Sequence, residues 1–168
     1  IATAINKGYL PYFAVMVQSI KNSRNVSREY CIHILSSDIT HDDLVQMPYL
    51  GDDCFTVDLI DVNWFKDKVA EFEFGEFFTV ECLYRLALLE LLPDIDKILY
   101  LDSDLIVLSD VSQLFDVDLA QNYVAAVKDI GIAGMAGGYA PDEADRLLKL
   151  GIDDFNSYFS SGVMVWDL

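Results

Sequence analysis

Asp102 and Asp104 stand one residue apart between two apolar runs, Ile98-Leu99-Tyr100-Leu101 and Leu105-Ile106-Val107-Leu108. Both runs are too short for amphipathic helices and rich in Ile, Leu, Val and Tyr, which suits a buried strand running into a carboxylate pair. Residues i and i+2 of an extended segment point to the same side, so the two carboxylates are expected to converge on one cation while Ser103 faces away. Hard cations such as Mg²⁺ and Mn²⁺ prefer oxygen ligands and need few protein groups when substrate phosphates complete the shell. The triplet therefore points to a metal clamp for a phosphate compound. Loops and caps also collect aspartates, but solvation does not explain why both acids sit between two core-type runs.

The charge balance agrees with a cation as intermediary. The chain has 168 residues, 28 of them acidic and 11 basic, for a formal charge of −17. Such a field argues against bare electrostatic binding of nucleic acid or anionic lipid. An anionic ligand then needs a divalent ion, which reverses the local sign of the field. Cys31, Cys54 and Cys82 lie far apart with no CxxC spacing, so zinc and redox motifs are absent and each reads as a buried thiol in a reducing compartment. His33 alternates within a strand and His41 follows a cap, which makes neither a good metal ligand. No apolar run approaches the ~20 residues of a bilayer span, and no charged-then-apolar leader precedes Ile1. The expectation is a cytoplasmic chain, or the cytoplasmic part of a longer one, with at most peripheral membrane association.

The elements that must position the acids follow a βαβ rhythm, which implies an α/β fold with a mostly parallel sheet. Ile1 to Ile5 reads as a first strand, closed by the turn cluster Asn6-Lys7-Gly8. Tyr9 to Asn22 carries Phe13, Met16, Val17 and Ile20 at helical spacing. Strands follow at Tyr30 to Leu35 and Phe55 to Ile60, separated by a short helix from His41 to about Met47 that Thr40 caps. Trp64 to Phe78 has no clean period and reads as a loop with one helical turn at most. Its aromatic residues Trp64, Phe65, Phe72, Phe74, Phe77 and Phe78 read as a packing lid in preference to a carbohydrate platform. Thr79 is expected to cap a helix running to Leu92, ended by Pro93. Ser109 to Phe115 reads as a short helical turn and Tyr123 to Val127 as a strand. Gly131 to Tyr139, with four glycines, reads as a mobile loop. Pro141 suits the first turn of a helix to Leu150, and Tyr158 to Trp166 reads as a glycine-interrupted final strand. That strand has no closing helix, so part of the sheet's cover is expected to be missing.

Four blocks together resemble glycosyltransferase family 8: Leu83-Tyr84-Arg85-Leu86 with Leu91-Leu92-Pro93, Lys97 through Asp104, Leu114-Phe115-Asp116, and Tyr158-Phe159-Ser160-Ser161-Gly162-Val163-Met164. Their order and spacing agree with that family over essentially the whole chain. The resemblance implies a GT-A fold, a nucleotide-sugar donor that is usually UDP-linked, a Mn²⁺ (or Mg²⁺) ion, and hexose transfer with retention to a carbohydrate, glycolipid or glycoprotein acceptor. It places Asp102 and Asp104 at the metal-ligand positions, Asp102 also approaching the donor's ribose or sugar, and Ser103 beneath the nucleotide. Arg85 takes the position of an arginine that reaches the donor's sugar and phosphates. Ala4-Ile5-Asn6-Lys7-Gly8-Tyr9 occupies the place of the nucleotide-base loop, with Tyr9 matching, Asn6 replacing the usual acid and Gly8 the usual Asn. Ser160, Ser161 and Gly162 stand where the sugar is lined, Ser160 replacing an Asn. Asp129 matches an acid near sugar and acceptor. The resemblance also implies one GT-A domain over residues 1–168 that lacks its C-terminal part, with a histidine metal ligand and the residue beneath the anomeric carbon beyond Leu168.

Two alternatives stay open on the residues. A haloacid-dehalogenase-type phosphatase also places Asp-x-Asp after an apolar strand, although normally on an early strand with Gly-Thr following. A degenerate transferase domain would bind nucleotide, or only fold.

Overall fold

The computed structural model describes residues 1–47, 54–72, 79–135, 138 and 140–168. Among these, the strands are β1 (Ala2–Ala4), β2 (Tyr30–Ser36), β3 (Phe55–Asp61), β4 (Lys97–Leu101), β5 (Val124–Lys128) and β6 (Phe159–Asp167). They form one sheet in the order β3-β2-β1-β4-β6-β5. β1 pairs in parallel with β2 and β4, and β2 with β3, while β6 runs antiparallel to β4 and β5. The helices are α1 (Leu10–Ser23), α2 (His41–Val45), α3 (Asn63–Lys68), α4 (Glu81–Tyr84), α5 (Leu88–Leu91), α6 (Ser112–Phe115), α7 (Ile130–Met135) and α8 (Pro141–Lys149).

This order has a consequence for ligand binding. From β1 the chain steps outward through β2 and β3 and then returns to place β4 on the other side of β1. The crevice outside the carboxyl ends of β1 and β4 is thus a topological switch point, where open α/β sheets take their ligands. Ala2 pairs with Tyr100, so the segments leaving these two strands, from Ala4 and from Asp102, lie side by side.

Both faces of the sheet are covered, which explains why β4 reads as an unbroken apolar run. On one face α1 presents Phe13, Met16, Val17 and Ile20, all fully buried, to Ile32, Ile34, Leu99 and Leu101. Burying a side chain of this size contributes about 1.5–3 kcal/mol. On the other face Tyr84, Leu88 and Leu92 meet Ala2, Leu35, Ile98, Tyr100 and Met164. Pro141 opens α8, and Gly151 closes it at φ 83°, a left-handed position that a glycine takes without cost.

Several expectations need correction. The helix expected from Thr79 to Leu92 is interrupted by a 3₁₀ turn at Arg85–Ala87. Arg85 Nε donates to the Cys82 carbonyl at 2.8 Å, competing for a carbonyl of the preceding turn. Thr79 does not cap it: Val80 is the cap residue, without a side-chain bond, and the Thr79 carbonyl accepts from Cys82 N. The first part of the glycine-rich stretch is helical, as α7, because Asp129 Oδ1 accepts from Ile132 N at 3.0 Å and caps it. The thiols are not uniformly buried, since Cys31 is exposed and Cys54 and Cys82 are intermediate. Of the aromatic stretch, Phe65 packs edge-on against Tyr84, whereas Trp64 and Phe72 are exposed. Phe74, Phe77 and Phe78 lie outside the described residues. Among the described residues no helix is long and apolar enough to cross a membrane.

The Thr40 cap is present as a full capping box: its side chain accepts from Asp43 N, and Asp43 Oδ2 accepts from Thr40 N at 3.0 Å. Asp43 also pairs with Lys7 at 2.6 Å, tying the β1–α1 loop to α2. The hydrogen bond from Lys7, with those from Thr40, lowers the Asp43 pKa to about 2. A carboxylate depressed on folding stabilises above its unfolded pKa and loses that contribution as pH falls through the folded value. Urea midpoints are therefore expected to drop between pH 4 and pH 2 in the wild type, and by less in Asp43→Asn. Equal drops in both proteins would remove this pair from the acid response.

Candidate active site

β4 ends at Leu101, and Ser103 and Asp104 form a turn. The alternation of a pleated strand does not reach the acids, so the expected geometry is corrected: Ser103 does not face away. It is buried, and it lines the same pocket as Asp102 and Asp104. The Asp102 N–H donates to the Gly162 carbonyl at 2.8 Å, which anchors the start of the turn to β6.

That pocket has a volume of about 190 Å³ and lies at the switch point. Ala4 approaches it from the end of β1, Asn6 and Tyr9 from the β1–α1 loop, Arg85 from the 3₁₀ turn, and Asp102, Ser103 and Asp104 from the end of β4. Gly8, also expected here, is exposed and does not line it. The loop is held from outside by the Lys7 N–H, which donates to both oxygens of Asp38 at 3.1 and 3.2 Å. Thr79, Glu81 and Cys82 complete the wall. Nothing in their spacing marks them in the sequence, since the segment that carries them is brought here only by packing of Tyr84 and Leu88 against the sheet.

A second pocket of about 620 Å³ shares Asp102 with the first. Asp129, Ser160, Ser161 and Gly162 line it, so the structure gathers the remaining expected residues there. Glu143 and Arg146 of α8, with Asp153, Asp154, Tyr158 and Phe159, extend this wall. The Glu143–Arg146 ion pair is local to the helix. Pro141 marks the start of this helix in the sequence, but nothing there tells which face meets the pocket.

Arg85 is the hub between the pockets. It is 8% exposed, and its guanidinium donates to the Cys82 carbonyl, to Asp102 Oδ1 at 3.0 Å and to the Ser161 carbonyl. It also stacks over the Tyr100 ring, 4.4 Å from the centroid, a geometry that favours a cation when water is excluded. Its five donors leave two N–H groups after these contacts. In the sequence Tyr100 is marked only as a core residue of an apolar strand. Its hydroxyl is buried beside Asp102 without a well-directed hydrogen bond, and burial raises its pKa far above the ordinary tyrosine range.

The carboxylate pair carries an electrostatic deficit. Burial raises the pKa of Asp102, Arg85 pulls it back, and Asp104 pushes it up again. The other Asp102 oxygen, Oδ2, packs so close to Gly162 that a Cβ there would lie 2.8 Å from it. Among the described residues no three His, Cys, Asp or Glu side chains form a closed metal cage. The arrangement instead offers two carboxylates on one open wall, which suits a hard cation whose shell a ligand's phosphates complete.

Known proteins resemble this chain in sequence and in fold. General stress protein A of Bacillus subtilis (strain 168) is 32% identical over 110 residues, covering 64% of this chain and 33% of its own length. Glycosyltransferase GlyD of Streptococcus pneumoniae serotype 4 (strain ATCC BAA-334 / TIGR4) is 29% identical over 147 residues, covering 80% of this chain and 17% of its own. The galactosyltransferase LgtC, solved in complex with donor and acceptor sugar analogs, superposes with a TM-score of 0.81 at 26% identity, covering 99% of this chain and 56% of that one. The chain thus spans a third or less of the length of these two curated relatives. The fold is the GT-A fold of that structure, with its mixed sheet flanked by helices. Residues 1–168 match the family described as Glycosyl transferase family 8 throughout, and the chain belongs to that family.

Proposed function

We propose that the chain forms the donor-binding part of a metal-dependent, retaining glycosyltransferase that moves a hexose from UDP-glucose or UDP-galactose to a glycan, glycolipid or protein acceptor. The observation that carries this reading is the pair of pockets meeting at Asp102: one lined by the β1–α1 loop and the acidic pair, the other by Asp129 and the Ser160–Gly162 segment. A galactosyltransferase structure with donor and acceptor analogs, similar along this whole chain, supports it. The whole-chain family match sets aside the phosphatase alternative.

In this reading Asp102 and Asp104 hold a Mn²⁺ or Mg²⁺ ion, whose charge, when bound, neutralises the departing diphosphate. The exposed Tyr9 ring stacks on the uracil, and the Asn6 amide meets the base edge with its donor and acceptor. Ser103 supports the nucleotide from the turn. Arg85 fixes the Asp102 carboxylate and directs its two remaining N–H groups toward the donor. Ser160, Ser161 and Gly162 line the hexose, where Gly162 admits the backbone close to Asp102. Asp129 spends Oδ1 on capping α7, which leaves Oδ2 to orient an acceptor hydroxyl.

Calorimetry with UDP tests this directly. Binding is expected in the presence of Mn²⁺ and to weaken by at least about tenfold without it or in Asp104→Asn, on the scale of one lost charge-assisted contact. Equal UDP affinity with and without metal would contradict the clamp.

A further inference from the structure

Away from the donor site, at the amino-terminal edge of the sheet, three side chains on β2 and β3 form a connected line. Cys31 and His33 are i and i+2 on β2 and so share a face; His33 pairs in register with Asp58 on β3. Cys31 Sγ lies 3.5 Å from His33 Nε2, and His33 Nδ1 lies 3.2 Å from Asp58 Oδ2. An ionised carboxylate only accepts, so Nδ1 carries the proton in the neutral ring and the Nε2 lone pair faces the thiol. Burial holds the His33 pKa below the ordinary histidine value, against the pull of Asp58, so the ring is neutral at neutral pH and its Nε2 lone pair is free to accept a proton. Cys31 itself is exposed and in no disulfide. It opens on a pocket of about 270 Å³ with Lys97, Ile98 and Phe115 on its wall. The Lys97 ammonium donates to the Val117 carbonyl at 2.6 Å and has no carboxylate partner among the described residues.

A nucleophile, a base within reach of it and a carboxylate orienting that base make an activated thiol. We propose that Cys31 is a modification site that exchanges with low-molecular-weight disulfides bearing a carboxylate, with His33 as its base and Asp58 as the residue that positions His33. His33 Nε2 takes the thiol proton, and the thiolate attacks one sulfur of the incoming disulfide. A Cys31–S–S–R bond forms as the R–S–S–R bond breaks. The second half leaves as a thiolate and receives the proton from the imidazolium or from water. The oxidant is the disulfide, and no other co-reactant is needed. Lys97 offers the incoming carboxylate a cation in an otherwise acidic protein. None of these residues belongs to the donor site, so the inference stands independently of the transferase reading.

The probe is 5,5′-dithiobis(2-nitrobenzoate), which releases one coloured thiolate per thiol modified, followed by peptide mapping of the adduct. At pH 7.5 Cys31 is expected to react at least about tenfold faster than Cys54 and Cys82, and His33→Asn to slow it by about tenfold. Asp58→Asn alters an exposed side chain, and is expected to slow Cys31 with the circular dichroism spectrum unchanged. This second variant carries the test if His33→Asn does not fold. Cys31→Ser should remove the fast phase, dithiothreitol should reverse the adduct, and UDP with Mn²⁺ should leave the rate unchanged. Reaction of Cys31 no faster than the other two cysteines, or an unchanged rate in both folded variants, would overturn the proposal. So would protection by UDP, which would place the reactive thiol at Cys82 in the donor pocket.

Discussion

Arg85→Met is expected to lower the melting temperature by roughly 5–10 °C and to abolish measurable metal-dependent UDP binding. Methionine preserves most of the buried stem but removes every donor of the fork. Asp102 then keeps a partly buried carboxylate beside Asp104 with no cation, and the carbonyls of Ser161 and Cys82 lose a partner. Breaking a fully buried ion pair by removing one member costs about 3–5 kcal/mol. Here the Asp102 side chain is 36% exposed, so water offsets part of that loss and about 2–3 kcal/mol is the expected size. For a domain of this length that corresponds to the stated shift. Arg85→Lys should recover some stability through its charge but little binding, because an ammonium cannot span three acceptors on three segments while lying flat on Tyr100. Thermal unfolding and UDP calorimetry on both variants decide the matter. A melting temperature unchanged in Arg85→Met would show that Asp102 does not depend on it.

Gly162→Ala is the complementary experiment, because it is expected to damage binding with much less damage to the fold. The glycine's φ is not left-handed, so alanine meets no backbone strain there. The added Cβ would instead lie 2.8 Å from Asp102 Oδ2 and 3.4 Å from its Cγ. The side chain of Asp102 must move, and it is held from the other side by Arg85. Overpacking of this kind costs about 1–3 kcal/mol, while the carboxylate leaves its place on both pocket walls. Metal-dependent UDP affinity is expected to fall by at least about tenfold, and the melting temperature by a few degrees. Unchanged affinity would mean that Gly162 does not set the position of Asp102.

How much of this was legible in the chain differs from element to element. α1 was legible because Phe13, Met16, Val17 and Ile20 keep helical spacing and all reach the core. β4 was legible because a strand covered on both faces must be apolar throughout. The 3₁₀ interruption after α4 is not legible, since no local signal announces that Arg85 turns its side chain back onto Cys82. The glycines of α7 read as a loop, and the capping bond from Asp129 offsets their cost.

The sequence by itself determined the chemistry on offer: two acids after a buried strand, an arginine ahead of them, and a glycine in the last strand. Those are matters of residue type and local pattern, and short-range physics is enough to state them. Only the tertiary structure decided that Arg85 and Gly162 grip opposite oxygens of Asp102, that Tyr100 lies beneath Arg85, and that α8 walls the second pocket. Each of these contacts joins elements far apart in the chain, and which faces meet is settled by packing the helices on the sheet. The Asp102–Asp104 pair shows the division in one place. Its acids were evident from the sequence, but the turn that brings Ser103 and both carboxylates to one pocket depends on the Asp102 N–H bond to Gly162, 60 residues away in number.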